Sequence, residues 1–195
     1  MMRYFHLTAI LLVLAFVAFT LISPNPARAA SAAEINRDAK SALEKLYAKS
    51  SLANALGEKA IGVLVFPGIT KGGFMVGGQF GEGALLKKGK SQASAQVWSV
   101  TGYYKTVQVS YGFQAGIQKY GYALFLMTDS AMKWIDKSDG WEVGVGPSIV
   151  VMDTGAASSA TTTTLQAEVY AFFFDQKGLM GGLGLQGTKI TKIEK

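Results

Sequence analysis

The chain has 195 residues, with 19 lysines and arginines against 13 acids, a formal net charge of +6, and no cysteine. Its single histidine is His6. Disulfides, thiolate catalysis, lipid attachment at an N-terminal cysteine and a Cys/His zinc site are excluded, and imidazole chemistry is excluded beyond residue 6.

The first residues carry Arg3 and no acid, and an apolar run from Leu7 to Ile22 is broken only by Thr8 and Thr20. SPNP follows, then Ala27-Arg28-Ala29, the small-x-small pattern that signal peptidase accepts. The run is shorter than the ~20 residues a spanning helix needs. Residues 1–29 are therefore expected to be a cleavable secretory signal, the mature chain to start at Ala30, and the protein to be periplasmic or secreted. Without Arg3 and Arg28, 17 bases face 13 acids, a net charge of +4 over one domain, 30–195. All 23 glycines lie in that part, about twice the usual ~7% share. Long apolar segments accompany them, which points to turns and closely packed strands.

Between Glu34 and Leu56, Ile35, Ala39, Ala42, Leu43, Leu46, Tyr47 and Ala53 recur at helical spacing, and Gly57 offers a stop. The spacing predicts an amphipathic helix over 34–56 with Lys40 and Lys49 on opposite edges of its apolar stripe. Such a helix either packs on the domain, its lysine stems covering the edge, or lies on a membrane surface.

From residue 62 onward, short apolar runs separated by glycine predict a β-rich core. Strands are expected near 62–66, 73–80, 83–86, 95–104, 106–114, 122–128, 141–145, 148–152, 165–174 and 184–193. One short helix, capped by Asp129 or Ser130, is expected through Ile135. GAASSATTTT, 155–164, reads as a loop. YALFLM (122–127), SIVVM (148–152) and VYAFFF (169–174) do not alternate, which predicts cover on both faces. That counts against a small outer-membrane barrel, whose strands alternate. The expected fold class is α+β, predominantly antiparallel and glycine-rich, with an N-terminal amphipathic helix and one short internal helix.

GLGLQG at 182–187 matches G-x-G-x-x-G, but no helix and no acid ~20 residues on follow it, so it is read as accidental. KGGFMVGGQFGEG, 71–83, offers consecutive glycines beside Lys71, either an anion nest or a close-packed hairpin. Lys87, Lys88 and Lys90 form a basic turn, solvated or facing lipid phosphates. A net +4 with tyrosines in core strands does not suggest nucleic acid. The acids are scattered. A carboxylate-pair hydrolase would need two of them to meet in space, and DKSDGWE at 136–142 lacks the calcium register. No cofactor is implied.

VLVFPGITKGGFMVGGQFGEGALL (63–86), VTGYY (100–104), SYGFQAGIQKYGYALFLMTD (110–129), SDGWEVGVGPSIVV (138–151) and TTTTLQAEVYAFFFDQKGLMGGLGLQGTKI (161–190) together resemble the SYLF domain family, from about Lys40 onward. The resemblance implies a non-catalytic lipid-binding module. Eukaryotic members bind phosphoinositides and other acidic phospholipids, and a yeast member also binds actin. An amphipathic N-terminal segment contributes to their membrane contact, and 34–56 occupies the similar place. No catalytic residue carries over, and an actin role is not carried over to an exported chain. The expected partner is an anionic phospholipid surface, met by Lys40, Lys49, Lys71, Lys87, Lys88 and Lys90. The alternative is an envelope structural or protein-interaction module without specific lipid binding.

Overall fold

Ser31 opens the first helix in the computed structural model, which describes residues 29–89, 98–137, 140–143, 145–152, 166–178 and 187–195. The expected signal segment, the loop at 155–164 and most of GLGLQG lie outside the described residues. Helix α1 spans Ala32–Lys49 behind a capping box: the Ser31 hydroxyl accepts from the Glu34 amide, and the Glu34 carboxylate accepts from the Ser31 amide at 2.8 Å. Its stripe of Ile35, Ala39, Ala42, Leu43 and Leu46 is buried. Ser50 then takes an extended conformation, and its hydroxyl accepts from the Ala53 amide to start α2, Ser51–Lys59. The single helix expected over 34–56 is thus two, because a serine that caps a new helix cannot also continue the old one. Gly57 does not stop α2. It leaves room for the Tyr47 ring.

Strands β1 (Gly62–Lys88) and β2 (Trp98–Leu126) form one long antiparallel hairpin. The glycines read as turns between short strands instead sit inside continuous, bent ones. The register shifts between Phe66 and Ile69, between Phe74 and Val76, and between Leu85 and Leu86, and such bulges bend a strand without ending it. A side chain on Gly83 would strike the Val65 carbonyl and the Phe66 ring, and one on Gly81 would meet Ile69 at 2.7 Å. The later half of β1 therefore packs on its own beginning, and glycine permits the approach.

The remaining elements are α3 (Asp129–Ile135), β3 (Trp141–Glu142), β4 (Ile149–Met152), β5 (Val169–Gly178) and β6 (Lys189–Ile193). The strand order is β3-β6-β2-β5-β4, with β1 on the other edge of β2. Among the described residues, β4 and β5 are the one parallel pair. Gln118 pairs with Gly178 and Val107 with Lys189, so β5 and β6 follow the same edge of β2 in one register. The fold is α+β with an antiparallel-dominated curled sheet, as expected. Thr128, one residue earlier than expected, caps α3 by accepting from the Ala131 amide at 3.1 Å.

Inside the curl, Phe66, Tyr104, Tyr120, Tyr122, Leu124, Phe173 and Trp141 form a core with Ala131, Met132 and Ile135 of α3. A polar seam crosses it: the Tyr120 hydroxyl donates to Gln79 at 2.6 Å, and the Tyr122 hydroxyl donates to Thr106 at 3.2 Å. On the sheet's other side, Phe125 packs between Tyr47, with ring centroids 6.2 Å apart, and Phe172, at 5.3 Å. Of the three non-alternating runs, 169–174 is buried throughout and 122–127 is buried up to Leu126, with Met127 half-buried. The third is not. Val150 and Val151 are exposed on β4, which lies at the sheet edge and has a strand on one side only among the described residues.

Candidate functional site

Burial along β5 stops after Phe174, and Asp175 to Gly178 are exposed. Asp175 has φ +51, a left-handed conformation that aspartate tolerates better than most side chains. The pairing with β2 is irregular at the same level, between Lys119 and Gly121. This break turns the Asp175 carboxylate to Lys49, whose Nζ donates at 2.7 Å from the last turn of α1. The hydrogen bond from Lys49 holds the Asp175 carboxyl below its usual range. Slight burial opposes it, and the charges of Lys49, Lys45 and Lys177 reinforce it.

Lys45 and Lys49 are one turn apart on α1 and so share a face. Lys177 pairs across the sheet with Lys119. All four lysines are exposed. Two elements thus bring Lys45, Lys49 and Lys177 to act on one carboxylate, a third places Lys119 opposite Lys177, and the surplus is positive. A like-charge cluster of this kind costs some stability in water and attracts anions.

The lysines named from sequence are dispersed. Lys40 is exposed on α1. Lys49 is in the cluster. Lys71, half-buried on β1, pairs in register with Gln118 and is engaged by other groups. Lys87 is half-buried in a shallow cleft with Ile61, Met132, Lys133 and the acids Asp129 and Asp136. Lys88 donates to the Glu58 carbonyl at the end of α2 and lies 5.8 Å from the centre of the Trp98 ring. Burial lowers its pKa, and nearby Glu58 works the other way. Lys90 lies outside the described residues.

Lys45, Lys119 and Lys177 are the cluster members that sequence reasoning missed. The Lys45/Lys49 spacing was visible in the helix. Nothing in the sequence joins residue 119 to residue 177, because that pairing depends on sheet register.

Asp129 and Asp136 share the Lys87 cleft, but Asp136 already accepts from the Tyr104 hydroxyl at 3.0 Å and from Lys192 at 3.3 Å. Among the described residues, no three metal-ligating side chains gather, and no helix is long and apolar enough to cross a membrane.

Residues 107–195 match the family model Ysc84, described as Las17-binding protein actin regulator. No match was found among curated proteins. The matched segment holds Lys119, Asp175 and Lys177, and α1 supplies Lys45 and Lys49 from outside it.

Proposed function

We propose that this chain, whose residues 107–195 match the Ysc84 (SYLF) family model, is an exported, non-catalytic module that associates reversibly with anionic phospholipid surfaces. The observation that carries the reading is the gathering of Lys45, Lys49 and Lys177 at the single carboxylate of Asp175, with Lys119 opposite Lys177 in the sheet. A lysine near an anionic membrane contributes about 1 kcal/mol, so a cluster of this size favours attachment that salt weakens. Lys40, on the same helix, adds attraction at longer range.

Export is supported by the sequence of residues 1–29 and by the start of the compact unit at Ser31, just past the expected cleavage point. In that setting the partner is a phospholipid surface. The actin-regulator description stays with the family.

The test is cosedimentation with neutral and anionic vesicles at low and high salt, for the unsubstituted chain and for Lys119→Gln/Lys177→Gln with the same N-terminus. Binding to anionic vesicles that salt weakens, and that the double variant lowers about tenfold or more, is the expected result. An unsubstituted chain that sediments with neither vesicle overturns the reading in favour of an envelope interaction module.

A further inference from the structure

Side chains alternate across β2, and those that turn away from the core can be read off in order. They are Lys105, Val107 and Val109, then, past the middle of the strand, Ile117 and Lys119, all exposed. Val109 is 77% exposed and Ile117 67%. Across the hairpin, Phe80 pairs with Val107 and is 53% exposed, and Val76 on the same side of β1 is 54% exposed. From the other edge Lys189 pairs with Val107, so Phe80, Val107 and Lys189 form one row. Glu82, Lys105 and Thr191 form the next. The Glu82 carboxylate is already matched by Lys195 at 2.9 Å, with both side chains largely buried.

Single exposed apolar residues are ordinary, but contiguous ones bordered by polar groups mark contact surfaces. Charge decides between the two candidate occupants, a second copy and a lipid surface. A second copy docked about a two-fold axis would bring this lysine-bordered face against itself, and like charges oppose that. An anionic bilayer presents acyl chains beneath negative headgroups, which complements an apolar centre with a basic border.

We infer that this outer face of β1 and β2 is the membrane-docking surface. Val76, Phe80, Val107 and Val109 enter the boundary between headgroups and acyl chains, and Lys105 and Lys189 stay at headgroup level. The inference rests on the lipid-binding reading above and gives that reading a contact surface. It assigns the apolar contact to the sheet, because the stripe of α1 is buried in the domain. Part of the attachment then survives salt, since apolar burial is not screened.

The test places a fluorophore in the patch by Val109→Trp and adds phosphatidylcholine/phosphatidylserine vesicles with or without brominated acyl chains. Val107→Ser/Val109→Ser is assayed in parallel by cosedimentation. The expected result is a blue shift and bromine quenching of the added indole, and an about tenfold loss of vesicle affinity for the serine variant that persists at high salt. Intact vesicle binding with no change at position 109 overturns this inference and leaves the lipid reading standing. A blue shift without vesicles, accompanied by dimer formation, overturns it in favour of a second copy. Absence of binding by the unsubstituted chain overturns both.

Discussion

The two ends of β2 differ in what covers them. From Tyr120 to Leu126 the strand has β1 and β5 at its edges, Tyr47 of α1 packed on one face and the α3 core over the other. Around Lys105 to Val109 it has β1 and β6 at its edges and the same core beneath, yet its outer face is uncovered among the described residues. The apolar content differs: 120–126 is apolar at every position but Gly121, whereas 105–109 has Val107 and Val109 alternating with polar residues. One end buries its aliphatic and aromatic groups, and the other leaves two valines available for contact. Exposure of the second end therefore follows its alternating local sequence, which puts Val107 and Val109 on the outer face.

Substitution at the covered end is the strongest way to break that contrast. Phe125→Ala, which empties the space between Tyr47 and Phe172, is expected to cost about 3–5 kcal/mol in chemical denaturation. A cost under about 1 kcal/mol would mean the helices do not seal that face. Gly83→Ala comes next at about 2 kcal/mol, because its methyl group meets the Val65 carbonyl and the Phe66 ring. A neutral result there would deny the close return of β1 on itself.

Alkali offers a third probe of the core beneath both ends. Burial pushes Tyr120 up to about 12 and holds Tyr104 and Tyr122 above their usual range. A tyrosine whose folded pKa exceeds its unfolded value of about 10 adds stability in full below pH ~10, and that stability is lost as pH rises through the folded value. Phenolate absorbance from these rings should therefore appear together with loss of the fold. All the tyrosines ionising near pH ~10 in an intact protein would contradict the packing.

Smaller effects sharpen the comparison. Lys88→Ala removes the bond to the Glu58 carbonyl and the contact with Trp98, and is expected to cost about 1 kcal/mol of stability while leaving vesicle binding nearly unchanged. The reverse pattern would return the basic hairpin end to the lipid site. Val109→Ser, at the open end, is expected to change stability by less than about 0.5 kcal/mol, so that any loss of vesicle binding reflects the surface and not the fold.

Much of the fold was legible because its signals are local. The stripe Ile35, Ala39, Ala42, Leu43 and Leu46 announced a helix, and the unbroken runs at 122–126 and 169–174 announced strands covered on both faces. The break at Ser50 was not foreseen, since a serine within a helical pattern becomes a cap only when its backbone turns extended. Glycine misled for a related reason: at 81 and 83 it permits close packing inside a strand, yet the same residue type marks turns elsewhere. The candidate site was less legible. Lys49 was named for its place on the helix edge, whereas Lys119 and Lys177 meet only through pairing across the sheet.

By itself the sequence determined the chemistry available: no thiol, no imidazole beyond His6, a surplus of lysine, an amphipathic helix and a glycine-rich set of strands. It also carried the family resemblance that the match over 107–195 supports. The tertiary structure decided which lysines stand together and which apolar side chains stay exposed. Composition and periodicity are set by neighbours along the chain. The Asp175 cluster and the outer face of β2 are set by sheet register and by the packing of α1, which join residues far apart in sequence.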